Sequence, residues 1–244
     1  MRISYQHTVS FLRSAFCIIT CLCAAPLQSQ DKTSAQPYLN YPAPYSTFDS
    51  QISIGTHITF VPRPITEEEI GQIPALNIHT RLGLPLGFGA QLRGGTNYLT
   101  NFAALGGMWG FSAGRLAVGI GDDVSLWYGR AVFDAFDVDA VGWLNSPYIS
   151  AGFDFGNVML TARAELLFVT SRTTRSGDIE IASDRNLFSG GALSLWLEQP
   201  FFGSTHLILG LKLNRLSSAY QTWLAFSTFR DALLYPEFSA EILL

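Results

Sequence analysis

Residues 157–170 read NVMLTARAELLFVT. Taken alternately, one set is Val158, Leu160, Ala162, Ala164, Leu166 and Phe168, and the other is Met159, Thr161, Arg163, Glu165, Leu167 and Val169. Successive side chains of a strand point to opposite faces, so a period of two marks a strand lying between two different environments. The same pattern returns along the chain. Residues 205–215 set Leu207, Leu209, Leu211 and Leu213 against Ile208, Gly210, Lys212 and Asn214, and residues 186–198 set Leu193, Leu195 and Leu197 against Ala192, Ser194, Trp196 and Glu198. Near the start, Ile52, Ile54, Ile58 and Phe60 oppose Ser53, Gly55, His57 and Thr59, and Leu76, Ile78, Leu82 and Leu84 oppose Asn77, His79, Arg81 and Gly83. A last strand, 238–244, alternates Phe238, Ala240, Ile242 and Leu244 with Ser239, Glu241 and Leu243.

Further strands are predicted at 86–94, 102–111, 115–121, 124–133, 148–155 and 220–229, giving an all-β chain of about twelve strands, within a range of about ten to fourteen set by the usual error in boundaries. Gly-Asp-Asp at 121–123, Gly-Asn at 156–157 and Gln-Pro-Phe-Phe-Gly at 199–203 have turn chemistry. Residues 127–144 alternate less cleanly and compete as a helix. With twelve strands, the long links 134–147 and 171–185 fall on one side and the acidic link 62–73 on the other, whereas long loops of a barrel share one side.

Alternation alone does not separate a soluble sandwich from a membrane barrel; the charges do. Glu67, Glu68, Glu69, Asp122, Asp123, Asp134, Asp137, Asp139, Arg172, Arg175, Asp178, Glu180, Arg230 and Asp231 fall in predicted connections. The strands carry few charges, mainly on the less apolar face: Arg81, Arg93, Arg115, Asp154, Arg163, Glu165, Glu198, Lys212 and Glu241. The chain is 48% hydrophobic and 14% charged, against about 25% charged in soluble domains. Lysine occurs only as Lys32 and Lys212. A soluble sandwich needs a dense Lys/Glu outer face; a narrow polar interior needs only a few pairs. A net charge of −4 argues against a nucleic-acid partner.

Residues 1–29 read as an export signal. Arg2 and Arg13 precede and flank an apolar run, AFCIITCLCAA, and no acidic residue occurs before Asp31. All three cysteines, Cys17, Cys21 and Cys23, lie within it, so a mature chain starting near Gln30 has none and carries thirteen basic and nineteen acidic residues, a net charge of −6. Residues 30–48 are Pro- and Tyr-rich and read as an extended N-terminal segment, and 49–244 as the barrel domain.

A signal of this kind, a cysteine-free mature chain and alternating strands through to the C-terminus resemble a bacterial outer-membrane β-barrel. The resemblance is architectural and covers about residues 50–244. It implies an antiparallel transmembrane barrel in the bacterial outer membrane, contacting outer-membrane lipid and other envelope proteins. Such proteins often end in phenylalanine; this one ends in Leu243-Leu244. Aromatic residues near strand ends fit interface girdles: Trp109, Phe111, Trp127, Tyr128, Trp143, Tyr148, Phe201, Phe202, Tyr220, Trp223, Phe229 and Tyr235. The Leu207–Leu213 stripe predicts that Leu209→Arg impairs insertion more than Ile208→Arg.

No sequence pattern marks a catalytic, metal or cofactor site. His57 and His79 share the interior face with Arg81 and Arg93 and read as polar filling. Ser53 lies on the face of His57 but about 13 Å along the strand, beyond direct contact. Arg163, Glu165, Glu198 and Lys212 form the most suggestive cluster. It is either a charged constriction of a channel or a salt-bridged plug, and bulky Trp196 and Met159 favour the plug. The expectation is a non-enzymatic barrel, a small channel or a structural or docking component; a barrel hydrolase acting on lipid or peptide and a secreted β-sandwich binding module are the alternatives.

Overall fold

The computed structural model describes residues 38–62, 71–97, 99–133, 136–203, 205–217 and 232–244. All belong to the compact unit Pro37–Leu244. The predicted signal, the Glu67–Glu69 run and the predicted strand at 220–229 lie outside the described residues, as do Tyr220, Trp223, Phe229, Asp134, Arg230 and Asp231.

Among the described residues ten strands follow in chain order: β1 (Ser50–Phe60), β2 (Gln72–Gly83), β3 (Phe88–Thr96), β4 (Thr100–Ala113), β5 (Leu116–Phe133), β6 (Phe136–Asp154), β7 (Met159–Ser176), β8 (Ile179–Phe202), β9 (Thr205–Leu216) and β10 (Leu233–Leu243). Each pairs antiparallel with its sequence neighbours, and β10 pairs with β1, Ser53 opposite Leu243 through Thr59 opposite Glu237, to close the barrel. Closure leaves no strand edge within the ring, which is the condition for backbone that must lie in lipid.

The alternation read from sequence sorts the two faces correctly. On β7, Met159, Thr161, Arg163 and Glu165 are buried in the lumen, whereas Ala162, Ala164 and Leu166 are exposed outside. On β1, β2, β9 and β10 the predicted apolar set points outward. The exposed outer belt includes Ile54, Leu76, Leu105, Ile120, Ile149 and Leu193.

Of the twelve predicted strands, that at 220–229 lies outside the described residues, and those at 115–121 and 124–133 are one strand, β5. Gly121-Asp122-Asp123 is not a turn: it lies in mid-β5, paired with Met108, Gly107 and Gly106 of β4 and with Tyr148, Pro147 and Ser146 of β6. Two carboxylates can sit there because one faces out and the other into the lumen. The predicted link 134–147 is mostly β6; the long hairpin of β5 and β6 replaces both that link and the competing helix.

With these corrections the side conflict disappears. The links 84–87, 114–115, 155–158 and 203–204 are short and share one end, here the short-turn end. The longest links in sequence, 61–71 and 217–232, share the other end with the tips of the β5–β6 and β7–β8 hairpins. Arg130–Asp137 (3.2 Å) and Arg172–Asp184 pair near those tips.

The aromatic girdle is partly corrected. Trp109, Phe111, Tyr128, Trp143, Phe201 and Phe202 are exposed on the outside, but Trp127, Tyr148 and Tyr235 point inward and are buried. Trp127 packs in the lumen with Ala131, Val138, Ala140, Leu144 and Val169. Room for it comes from Gly142, where a Cβ would lie 2.4 Å from the indole nitrogen.

Candidate functional site in the barrel lumen

The lumen is filled in layers. At the short-turn end the chain before β1 folds into the barrel. Glu198 on β8, fully buried, accepts hydrogen bonds from the backbone N–H of Leu39 (2.7 Å) and Asn40 (2.6 Å). Arg81 on β2 donates to the carbonyls of Tyr41 (2.6 Å) and Ala43 (2.7 Å) and more distantly to that of Leu39 (3.4 Å). The Tyr45 ring lies beneath the same guanidinium at 4.0 Å, and its hydroxyl donates to the Tyr38 carbonyl (2.7 Å). Tyr38 stacks on His206, and Leu39 is buried against Ile208 and Leu243. Burial, with Asp154 and Glu198 nearby, pushes the Tyr38 phenol up to about 12.

Strand glycines make space for this segment. A Cβ at Gly83 would lie 2.2 Å from the Ser46 carbonyl oxygen, one at Gly110 2.2 Å from that of Pro42, and one at Gly152 2.5 Å from the Tyr41 ring. These residues come from β2, β4 and β6, so the notch is built across the sheet from positions far apart in sequence.

Above the segment sits a charged network. Asp123, only 1% exposed, pairs with Arg93 and with Arg163 (2.6 Å) and accepts from Gln91 (2.7 Å). Gln91 also donates to the Tyr148 hydroxyl (2.5 Å), and the Arg163 guanidinium lies 3.4 Å from the centre of the Tyr148 ring. Arg163 pairs further with Glu165 (3.2 Å), which pairs in turn with Lys212. Gly106 faces Asp123 so closely that a Cβ would lie 1.8 Å from a carboxylate oxygen. Four strands, β3, β5, β7 and β9, thus meet on linked ion pairs.

Beside the network a chamber of about 160 Å³ is bounded by Asn40 at the segment and by Trp127 and Leu144 at the apolar cluster. His57, His79, Arg93, Lys212, Glu237 and Glu241 contribute to its wall. Ser53 and His79 are cross-strand partners, a neighbour relation that measurement along β1 alone could not reveal. The Ser53 hydroxyl, however, donates to Glu241 (2.5 Å). This is not the Ser-to-His bond that activates a nucleophile. Asn214 donates to Glu237 (2.9 Å). Among the described residues no three His, Asp or Glu side chains group in a way that could hold a metal ion.

The predicted cluster is therefore split. Arg163, Glu165 and Lys212 are joined, but Glu198 is not with them: it holds the N-terminal segment. Arg81, read as filler, is the other anchor of that segment, while Arg93 belongs to the network. Asp123 was missed because Gly-Asp-Asp reads as a turn; the signal that finds it is the parity it shares with Ala117, Ser125 and Trp127 on one face of β5.

No protein-family model matches the chain, and no curated protein matches its sequence. Among solved structures, the chain is similar to the translocator domain of the autotransporter NalP from Neisseria meningitidis, at 12% identity over 80% of this chain and 85% of that one, with a TM-score of 0.45. It is similar to Neisserial surface protein A at 10% identity over 80% and 95%, TM-score 0.40. A third likeness is to an active-site mutant of outer membrane phospholipase A from Escherichia coli, at 12% identity over 87% and 94%, TM-score 0.37. The closed antiparallel ring, apolar outside and polar within, is that of an outer-membrane β-barrel.

Proposed function

We propose that the protein is a non-enzymatic barrel of the bacterial outer membrane whose lumen is closed by its own residues, serving as a structural or docking component of the envelope. Residues 1–29 act as its export signal. The short-turn end faces the periplasm, as short turns do in barrels of this kind. Outer-membrane lipid surrounds the belt.

One observation carries the closed reading: Asp123 is buried and engaged by donors from β3 and β7 at once. Charges that line an aqueous path face the path and recruit counter-ions; these charges face one another. The hydrolase alternative draws no support from Ser53, whose hydroxyl is held by a carboxylate.

Planar-bilayer recording and unfolding of one variant test this together. Wild type should conduct poorly, and Arg163→Ala, which leaves Asp123 and Glu165 short of a partner, should lose about 3–5 kcal/mol of stability. A conducting wild type whose selectivity shifts in Arg163→Ala while stability holds would establish a channel instead.

A further inference from the structure

We propose that the short-turn end of the lumen is an exchangeable binding groove for a bent, proline-containing peptide, with residues 38–48 as its resident ligand. The inference deepens the closed-lumen reading and rests on it, because the segment is part of what closes the barrel.

The groove reads backbone. Arg81 reaches the carbonyls of Leu39, Tyr41 and Ala43. These are alternate residues, and their carbonyls converge on the one guanidinium. Glu198 takes the backbone N–H groups of Leu39 and Asn40. The backbone bends at Leu39, Asn40, Tyr41 and Ala43, so a guanidinium for carbonyls and a carboxylate for two consecutive amides together recognise bent main chain whatever its side chains.

The segment itself reads YLNYPAPYSTF over residues 38–48. Pro42 and Pro44 have no N–H to donate to a ladder, so this stretch is poorly suited to join the sheet as an eleventh strand. It lies in the lumen as a guest. Side chains then supply preference: Tyr38 on His206, Tyr45 under Arg81, Leu39 in a pocket of Ile208 and Leu243. Gly83, Gly110 and Gly152 open the space the guest backbone and the Tyr41 ring occupy. The ligand class is a bent, proline-interrupted peptide bearing tyrosines. The tether that leads to β1 includes exposed Ser46, Thr47 and Phe48, so the guest can be separated from the barrel by a cut there.

The test uses the full-length protein folded in detergent, with a site-specific protease sequence inserted between Thr47 and Phe48 and cut after folding. The expected result is that the N-terminal fragment stays with the barrel through gel filtration and is replaced by an excess of a fluorescent peptide of residues 38–48. Glu198→Gln should release it about tenfold faster, the effect of weakening a charged hydrogen-bond contact. Gly152→Leu, which fills the Tyr41 notch without touching an anchor, is the second variant should the first fail to fold. A fragment that leaves wild type as fast as it leaves the variants overturns the groove. So does one that never exchanges, which would make the segment a fixed part of the wall. An insertion that resists cutting counts the same way, because a tether closed to protease is not one a guest can leave by. Bilayer recording of the uncut protein separates the two readings. Conduction with a retained fragment removes the closed lumen and leaves the groove; a lost fragment in a non-conducting barrel removes the groove alone.

Discussion

Two neighbouring carboxylates on β5 face opposite environments. Asp123 lies in the lumen with Arg93, Arg163 and Gln91; Asp122 faces outward, midway along the exposed run Leu116, Val118, Ile120, Val124, Leu126 and Tyr128, with only the Asn145 amide at 3.1 Å. Opposite responses to mutation follow. Asp123→Asn leaves two guanidinium groups without their shared anion and should cost about 3–5 kcal/mol. Asp122→Leu replaces a charge in the apolar belt and should stabilise the barrel, by less than the roughly 2–4 kcal/mol that a basic residue costs at mid-membrane. Urea unfolding from lipid vesicles reads both. Loss of stability in Asp122→Leu would mean that β5 does not sit in the belt as described.

At the level of the strand, alternation made most of the barrel legible. It placed Arg163 and Glu165 inside and the leucines of β9 outside, because lipid and lumen impose different chemistry on alternate residues. It failed where one strand breaks the local rule. Gly121 and two aspartates imitate a turn, and Trp127, Leu144 and Val169 are apolar residues that face inward. Nor could periodicity show which interior residues meet across strands: Ser53 with His79, or Gln91 with Asp123, depends on register. The same limit changes the expectation for β9. Leu209→Arg should still block insertion, since a guanidinium in the belt costs about 2–4 kcal/mol. Ile208→Arg is not mild, because Ile208 is fully buried against Leu39. That variant should enter lipid but expose the N-terminal segment to protease. Vesicle-folding yields read on unheated gels, with a protease step, distinguish them; equal folding of both variants would contradict the orientation of β9.

On the scale of the molecule, closure depends on one seam whose two strands are far apart in sequence. β10 joins β1 across seven register pairs, from Ser53–Leu243 to Thr59–Glu237, and β10 also pairs along β9. Removing residues 238–244 would strip most of that seam and leave backbone N–H and C=O groups of β1 and β9 facing lipid. Each such group costs several kcal/mol in hydrocarbon, so no partly closed barrel is a stable substitute. The truncated chain should therefore give no folded band on an unheated gel and no protease-resistant core in vesicles. Removing only Leu243 and Leu244 is a smaller injury. It deletes one seam pair and one side of the pocket around Leu39. That barrel should still close, with its N-terminal segment digested sooner than in the intact protein. A folded, protease-resistant barrel lacking 238–244 would show that β1 and β10 are not the strands that close the ring.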